Sequence, residues 1–370
     1  MNWRAVGLKF CKVAGLPILE PFVRLVAGED PKEQLKEIAK YILVPALAIA
    51  VFLGFWGLAS KHIVANSVSL PGPVKTFSEG GKLISAHFDQ KRLDAEARRE
   101  KKIEAVQLMQ KSAAAEKKAQ TVSGQQKEML LANAAVLKKR AVAAANYRPS
   151  SAPSFIDQIF NSLKTVAFGF IIATLIAVPL GVLCGMSPWF NAAITPLIQV
   201  FKPVSPLAWL PLAMLVILSL SSSGEPWLPI AFLTSAITVC LCSLWPTLVN
   251  TTLGVASVDQ DYMNVAKVLR LSWSQQLYKI ILPASLPLMF AGMRISLGVG
   301  WMVLIAADML AQNPGLGKFV WDEYQNNSQV AIARIAFSVI VIVIGLIGLF
   351  LDRIMICLRN LVSFGNPQTA

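Results

Sequence analysis

Residues 166–186 read VAFGFIIATLIAVPLGVLCGM and contain no charged side chain. An apolar run of about 18 residues or more is long enough to cross the hydrocarbon core of a bilayer as a helix. The whole chain is 55% hydrophobic and only 15% charged, whereas soluble domains carry roughly a quarter charged residues. The run therefore predicts an integral membrane protein.

Five further runs of this kind lie on both sides of it, so we predict an all-α membrane protein with about six transmembrane helices. About forty residues precede the first run, which is too long for the n-region of a signal peptide, so we expect this run to be retained. The predicted spans are residues 41–58, 166–186, 192–220, 227–248, 286–310 and 331–351.

The basic residues indicate how the spans are oriented. The net charge is +13, and Lys and Arg concentrate in residues 1–40, in the loop 251–285 and after the last span. Placing both termini in the cytoplasm puts these groups inside, as the positive-inside rule requires. No basic patch interleaved with aromatic residues favours nucleic acid as a partner, and we expect membrane lipid instead.

Two segments lie outside the predicted membrane core. Residues 1–40 are basic and apolar together, which is typical of an amphipathic helix on the membrane surface or of a short helix packed on the protein's cytoplasmic side. Asp30 as cap and Pro31 in the first turn predict a helix start that leads into the first span, bounded here as 41–60.

Residues 85–147 predict a helical hairpin inserted between the first two spans. They are rich in Ala, Lys, Glu, Gln and Arg, contain no proline, and are divided at Ser123-Gly124. This position in the chain places the insert in the periplasm, although its net basic charge conflicts with the positive-inside rule. Loops longer than about 60 residues translocate largely regardless of their charge.

The stretch 202–211, KPVSPLAWLP, lies inside the third predicted span. Each proline removes a backbone donor, so three of them predict a broken helix. A break at this depth is typical of a transport pathway, and a kinked structural helix is the alternative.

Three charges lie within the predicted spans, and such charges are functional candidates by default. For an anionic substrate, Lys202 and Arg294 are the candidate attractors, with a structural partner inside the bundle as the alternative. Asp308 lies near the external end of its span, where water can reach it. Arg294 and Asp308 are about 21 Å apart along one helix, so they cannot pair with each other.

The loop 251–285 carries the most specific pattern of the chain. Its residues resemble the coupling loop of ABC importer permeases, in which Glu-Ala-Ala is followed by three residues, Gly, nine residues, Ile, one residue and Leu-Pro. The spacing matches throughout, but Arg270 replaces the glycine and is expected to disfavour a left-handed turn. With Pro283 as a stop, the loop forms a rigid knob for a partner groove. The candidate coupling residues are Asn264, Ala266, Arg270, Leu271, Ile280, Leu282 and Pro283.

The resemblance covers roughly residues 155–355, which we bound as the permease core with five spans. Residues 203–211 and 301–310 resemble stretches of permeases for nitrate, bicarbonate, cyanate, taurine and alkanesulfonates, with Asp308 replacing a glutamate. The nitrate branch is nearest, followed by bicarbonate. The candidate residues of the translocation path and gate are Lys202, Pro203, Pro206, Trp209, Pro211, Arg294, Trp301 and Asp308.

The resemblance implies a binding-protein-dependent importer of the bacterial inner membrane. It implies a second copy of the permease, two cytoplasmic ATPase subunits that bind ATP and magnesium, and a periplasmic substrate-binding protein. The chain itself is expected to bind no cofactor or metal and to have no catalytic residue. Residues 315–318, GLGK, lack the upstream glycine and the following hydroxyl of a phosphate-binding loop.

Two other classes of protein remain as alternatives. A secondary transporter driven by an ion gradient would show internal repeats and a paired acidic residue deep in the membrane, and neither is evident. A membrane receptor that signals through the hairpin would leave the broken span and the coupling loop without a purpose.

Overall fold

The computed structural model describes residues 19–28, 30–65, 68–149, 151–221, 228–326 and 328–362. These residues are almost entirely helical, with one two-residue antiparallel ladder between β1 (Val64–Ala65) and β2 (Val68–Ser69). The chain forms two compact units, one of residues 1–80 and 158–370 and the other of residues 81–157. The all-α prediction is confirmed.

The first helices lead directly into the first span. They are α1 (Glu20–Val26), α2 (Pro31–Ile38), a π-helical turn (Ala39–Leu43) and α3 (Val44–His62). Asp30 is the N-cap residue of α2, as predicted, but its side chain makes no capping hydrogen bond. Residues 1–18 and 29 of the predicted N-terminal segment lie outside the described residues.

The insert is a pair of helices, α4 (Pro73–Ala119) and α5 (Gln125–Ala145). Gly124 adopts a φ of 73° before α5 begins, a conformation that glycine reaches without strain. Small buried residues recur every seven positions in α4 (Ala105, Ser112, Ala119) and in α5 (Ala134, Ala141). The Ser112 hydroxyl donates to the Ala134 carbonyl at 2.9 Å, so the helices pack closely and resemble a coiled coil with a narrow, alanine-lined seam.

The remaining helices follow in chain order from residue 155. They are α6 (Phe155–Met186), α7 (Pro188–Phe201), α8 (Pro206–Ser221), α9 (Ile230–Ala256), α10 (Gln260–Val268), α11 (Trp273–Gln276), α12 (Leu282–Ala311), α13 (Leu316–Asn326), α14 (Gln329–Ala336) and α15 (Gly348–Val362). π-Helical runs at Leu277–Ile281 and Phe337–Ile347 join α11 to α12 and α14 to α15.

Four helical runs of the described residues are long and apolar enough to cross a membrane: 31–62, 155–186, 230–256 and 273–311. A fifth crossing results if α7 and α8, which are bent by 104°, count as one broken span. The third predicted span, 192–220, is therefore not one straight helix. The sixth, 331–351, falls on α14, the second π-helical run and the start of α15, and the count of six stays a prediction.

The fourth and fifth predicted spans are too short at their facing ends. Helix α9 continues to Ala256 instead of ending at residue 248, and the helical run of α12 begins at Trp273. The loop predicted at 251–285 is therefore confined to residues 257–272, which include α10. The polar residues 250–252 made the predicted span end too early. In the structure, Asn250 and Thr252 donate to carbonyls of their own helix, which continues through them.

Helix α9 is packed between α6 and α12 through glycines. A Cβ atom at Gly169 would lie 2.5 Å from the Ala236 carbonyl oxygen, and one at Gly185 would lie 2.5 Å from the Val255 Cβ atom. The pairing advances in the same direction on both helices, so α6 and α9 run parallel. Small residues at such faces let helix backbones approach closely, which is the common packing mode in membranes.

The contact of α9 with α12 runs in the opposite direction. Gly300 faces Ser243, with 2.6 Å between a built Cβ atom and the Ser243 hydroxyl oxygen, and Gly292 faces Pro246 and Asn250. The two helices are therefore antiparallel. Their interface carries buried hydroxyls, of which those of Thr247 and Ser296 bond each other across it at 2.7 Å.

Candidate functional site

The break between α7 and α8 occupies residues 202–205. Lys202 caps α7 and donates its backbone N–H to the Ile198 carbonyl at 3.0 Å, and its side chain is exposed. Pro203 lies within the break and Pro206 begins α8, and neither has an N–H to donate. Pro211 lies inside α8, so two of the three prolines predicted to break the helix are at the break and the third is accommodated.

Three aromatic rings surround this break. The Phe201 ring centroid lies 5.7 Å from that of Trp209 and 6.1 Å from that of Trp245, which is nearly parallel to it. The indole N–H groups of both tryptophans are buried and make no hydrogen bond within the described residues. Trp245 was not among the candidate residues, although its position beside a proline in the middle of a span is a signal that sequence reasoning could have used.

Asp308 is fully buried, contrary to the expectation that water reaches it. The Ser162 hydroxyl donates to one carboxylate oxygen at 2.8 Å and the Asn313 amide donates to the other at 2.7 Å. Helix α12 ends three residues later, and the chain turns back so that the Leu316 N–H donates to the Ser162 hydroxyl at 2.8 Å. The carboxylate thus holds the turn after α12 against α6, and this packing shields it from solvent.

The turn leaves no room around Asp308. A Cβ atom at Gly315 would lie 2.2 Å from the Asp308 Oδ2 atom, and one at Gly317 would lie 2.0 Å from the Ile305 carbonyl oxygen. Gln312 caps α12 with a left-handed φ of 55°. Trp301, two turns earlier on the same face of α12, is also buried. These predicted path residues thus lie in packed surroundings.

Arg294 forms a bidentate ion pair with Asp352 of α15, with one of the two N–O distances at 2.8 Å. Both side chains are partly exposed and line a cleft of about 320 Å³ with Arg359. The structure thus gives Arg294 a carboxylate partner inside the chain, which was the alternative left open by the sequence. It does not bring Arg294 together with Lys202 or Asp308 in any described contact.

The candidate coupling residues lie in a compact segment after α9, the coupling segment (residues 259–283). Helix α10 begins after Asp259, whose carboxylate accepts the Asp261 N–H at 3.0 Å. It ends in two bonds, from Arg270 N–H to the Lys267 carbonyl and from Leu271 N–H to the Ala266 carbonyl, both at 3.0 Å. These two bonds define a Schellman motif, which closes the helix into a tight turn.

Arg270 occupies the left-handed position of this motif, with a φ of 47°. The expectation that arginine disfavours a left-handed turn here is therefore wrong as a statement about structure. The cost of such a conformation is about 1–2 kcal/mol for a residue other than glycine, and the two backbone bonds of the motif offset it. The turn of the family pattern is kept without its glycine.

Pro283 does not stop a helix, and this prediction is also wrong. It lies in the first turn of α12, inside a continuous helical run from Trp273 to Ala311. The π-helical turn Leu277–Ile281 directly precedes it. A wider turn lets the chain pass the proline ring, which would clash with the carbonyl four residues earlier in a regular α-helix.

The segment is anchored on one side and exposed on the other. Ala266 is fully buried, and Ile281 packs with Val182 and Val255 in a small core between α6 and α9. The opposite side presents large apolar side chains to the exterior, while Asn264 and Arg270 are exposed beside them. The exposed apolar set of this segment is Tyr262, Val265, Val268, Leu269, Trp273 and Tyr278.

The described residues contain no group of three or more His, Cys, Asp or Glu side chains that could hold a metal ion. The predicted site residues instead divide into three places: the broken span, the Arg294–Asp352 pair and the coupling segment, with Asp308 and Trp301 buried in support. Within the described part of the chain, these predicted site residues offer exposed groups and a bend.

Comparison with known proteins gives this arrangement a family. The family of binding-protein-dependent transport system inner membrane components matches residues 177–360. The nitrate import permease protein NrtB of Synechocystis is 39% identical over 205 residues, which cover 55% of this chain and 69% of that protein. The bicarbonate transport system permease protein CmpB of Synechococcus elongatus is 38% identical over 206 residues, which cover 55% and 68%.

A relative from another organism also matches this part of the chain. A putative ABC transporter permease protein of Methanocaldococcus jannaschii is 34% identical over 202 residues, covering 54% of this chain and 69% of that protein. The chain therefore belongs to the family of inner membrane permease components of binding-protein-dependent ABC importers. The insert falls outside the matched residues 177–360.

Proposed function

We propose that this chain is the membrane-spanning permease subunit of an ATP-driven importer for a small inorganic anion, with nitrate as the main substrate. The coupling segment is the observation that carries the ATP-driven part of the proposal. Six large apolar side chains are exposed there, on a short segment whose other side is fixed by buried Ala266. Exposed apolar groups on a rigid knob suit a partner groove, and we assign that groove to the ATPase subunits.

The complete machine would contain two copies of this chain, two cytoplasmic ATPase subunits and a periplasmic binding protein. ATP and magnesium would be bound by the ATPase subunits. Both termini and the coupling segment would face the cytoplasm. Closure of the ATPases would push on α10, and the permeases would alternate between outward-open and inward-open states.

We place the gate of the path at the break between α7 and α8. Lys202 is exposed and directly follows Phe201, whose ring contacts Trp209 and Trp245. The indole N–H groups of both tryptophans lack a hydrogen-bond partner within the described residues, so this region would offer a positive charge and hydrogen-bond donors to an anion once the gate opens. Pro203, Pro206, Trp209 and Pro211 shape the bend. Arg294 is already paired with Asp352, so we assign it a secondary role that requires release of this pair.

Trp301 and Asp308 are assigned supporting roles in the gate. Their burial favours holding α12 and the following turn in place over direct contact with substrate. The Asp308 carboxylate would also repel an anionic substrate, because it has no cation within salt-bridge distance among the described residues.

The substrate rests on the relatives and therefore has a close second candidate. Nitrate permeases and bicarbonate permeases match this chain at 39% and 38% identity, which does not separate the two anions. We place nitrate first, with nitrite and cyanate as related substrates, although the Gly315–Gly317 pattern resembles the nitrate and bicarbonate branch jointly and does not decide between the two anions. Bicarbonate is the second candidate, and taurine or alkanesulfonates are the third.

The deciding experiment is uptake of labelled nitrate into liposomes that hold this chain, its co-purified ATPases and its binding protein. We expect uptake with ATP and none without it, and competition by unlabelled nitrite or cyanate. Competition by bicarbonate alone would reassign the substrate and keep the machine. Uptake that follows an ion gradient and ignores ATP would overturn the proposal in favour of a secondary transporter.

Two variants test the assigned residues in the same assay. Lys202→Gln removes the charge beside the gate and should raise the nitrate concentration at half-maximal uptake, while Lys202→Arg should preserve it. Exchanging Leu282 and Pro283 for Ala should weaken co-purification with the ATPases. Unchanged co-purification would remove the coupling role from these residues.

A further inference from the structure

Helix α9 contains a proline in its middle, and next to this proline a hydroxyl of α12 bonds the α9 backbone. Pro246 has no N–H for the carbonyl of the preceding turn. One residue on, the Ser296 hydroxyl donates to the Ser243 carbonyl and accepts the Thr247 N–H at 3.1 Å. Ser243 and Thr247 are the two residues that an undistorted α-helix joins directly by its i to i−4 bond. The Ser296 hydroxyl therefore bridges a step of the α9 ladder from outside the helix.

The hydrogen-bond directions around Ser296 follow from its single proton. Because this proton goes to the Ser243 carbonyl, the contact of 2.7 Å with the Thr247 hydroxyl must be donated by Thr247. Ser296 and Thr247 are both fully buried. In a dry interior, a hydroxyl with three satisfied contacts is held firmly, and its removal leaves backbone groups without a partner.

The surroundings keep α12 close enough for this contact. Gly292 and Gly300 lie one turn before and one turn after Ser296 on the same face of α12. Both approach α9 so closely that a Cβ atom would lie within 3 Å of an α9 atom. The two glycines thus allow the short serine side chain to reach the α9 backbone.

The bridged step also divides α9 into two functionally different halves. Trp245, directly before Pro246, stacks on Phe201 at the broken span. The other half ends at Ala256 and leads within four residues to α10 of the coupling segment. A hinge at this step would therefore lie between the coupling segment and the gate.

On the basis of the proposed function, we propose that Ser296 is a positioning residue for transport, whose hydroxyl bridges Ser243 and Thr247 and serves as the latch of a hinge in α9. A single hydrogen bond between membrane helices contributes little free energy, so the latch can open and close within a transport cycle. A continuous backbone ladder without Pro246 would resist the same bend. The hydroxyl makes the bend reversible without leaving buried backbone groups unpaired in the closed state.

The first test measures hydrogen exchange of the backbone amides of residues 243–250 in the complete transporter in lipid nanodiscs. Ser296→Ala should make the Thr247 amide exchange about tenfold faster, because it loses a buried acceptor. Ser285→Ala is the matched control. Ser285 is buried on the same helix and also faces α9, but its hydroxyl donates to Leu282 of its own helix at 3.1 Å.

A double substitution separates the latch from general packing. Pro246→Ala removes the proline ring that pushes the preceding turn of α9 away, so the Thr247 N–H can bond the Ser243 carbonyl directly. Ser296→Ala should then have little further effect on exchange in that background. Equal effects of Ser296→Ala in the wild-type chain and in the Pro246→Ala variant would overturn the bridge. Equal exchange in Ser296→Ala and Ser285→Ala would do the same.

The transport role is read from anion uptake per ATP hydrolysed. We expect this ratio to fall several-fold in Ser296→Ala, to stay at the wild-type level in Ser285→Ala, and to recover in part in Ser296→Cys, which keeps a weak donor. An unchanged ratio in Ser296→Ala would reject the hinge in transport. If the wild-type complex takes up no anion with ATP, the proposed function and the transport role fail together, while the exchange comparison still decides the bridge.

Discussion

At one end of α12, the Asp308 carboxylate accepts hydrogen bonds from Ser162 and Asn313 and is closed off from solvent. At the other end, the coupling segment leaves Val268 81% exposed and Tyr278 69% exposed. The polar groups at the first end are hydrogen-bonded within the chain and need no partner protein. The second end exposes apolar side chains, for which we propose the ATPase subunits as the partner, so the same helix would connect a self-contained anchor to a docking surface.

The largest expected effect breaks the anchor. Asp308→Ala removes the acceptor of two buried donors, each of which costs about 1–3 kcal/mol when left unpaired, so we expect a total loss of about 3 kcal/mol. The thermal unfolding midpoint of the solubilised protein measures it. Asp322→Ala, which removes an exposed pair with Lys318, is the control and should change stability by less than about 0.5 kcal/mol.

The next effect tests whether the anchor end is as tightly packed as the glycines indicate. A Cβ atom at Gly317 would lie 2.0 Å from the Ile305 carbonyl oxygen, which belongs to the backbone and cannot rotate away. Gly317→Ala should destabilise the protein by about 2 kcal/mol, as overpacking does. Gly298→Ala on α12 has nothing within 4 Å and should be neutral or stabilising. Similar unfolding midpoints for both variants would contradict the sealed anchor.

The docking end should respond in affinity and not in stability. Val268→Asp places a charge on the exposed apolar surface, so we expect ATPase binding to weaken about tenfold, which corresponds to about 1.4 kcal/mol. Binding of purified ATPase to nanodisc-held permease measures this loss. Val330→Asp, at a half-exposed valine of α14, should leave ATPase affinity unchanged. A loss of thermal stability in Val268→Asp would show that this surface is structural.

The smallest effect concerns the strained turn of the docking end. Arg270 holds a φ of 47°, and glycine adopts this region without a Cβ penalty. Arg270→Gly should therefore raise stability by up to about 1 kcal/mol. Lys267→Gly, one turn earlier inside α10, should lower it by about 1 kcal/mol. A destabilised Arg270→Gly would mean that the arginine side chain contributes more than the turn costs.

The local features that sequence could predict are those set by nearest neighbours along the chain. The uncharged runs predicted the membrane helices, Gly124 predicted the hairpin turn, and Pro203 with Pro206 predicted the broken span. The coupling loop was predicted in place by its spacing, but not in conformation. Arg270 and Pro283 were misjudged because a Schellman motif and a π-helical turn relieve the local cost of each residue.

The partners of buried polar groups could not be predicted in the same way. Asp308 and Ser162 are 146 residues apart, and Arg294 and Asp352 are 58 residues apart, so no local pattern connects them. Ser296 appears in the sequence as one more small residue in an apolar span. Its role depends on a proline about fifty residues earlier, which only the antiparallel packing of α9 and α12 brings near.

The sequence by itself determined that this protein lies in a membrane, is helical, and carries the residue spacing of a coupling loop, because hydrophobic length, charge and motif spacing are properties of the chain. The tertiary structure decided which charges are neutralised, which polar groups are sealed and where a helix is bridged from outside. The physical reason is that a buried polar group in an apolar environment must find a partner, and only the packing of distant helices determines which partner it finds.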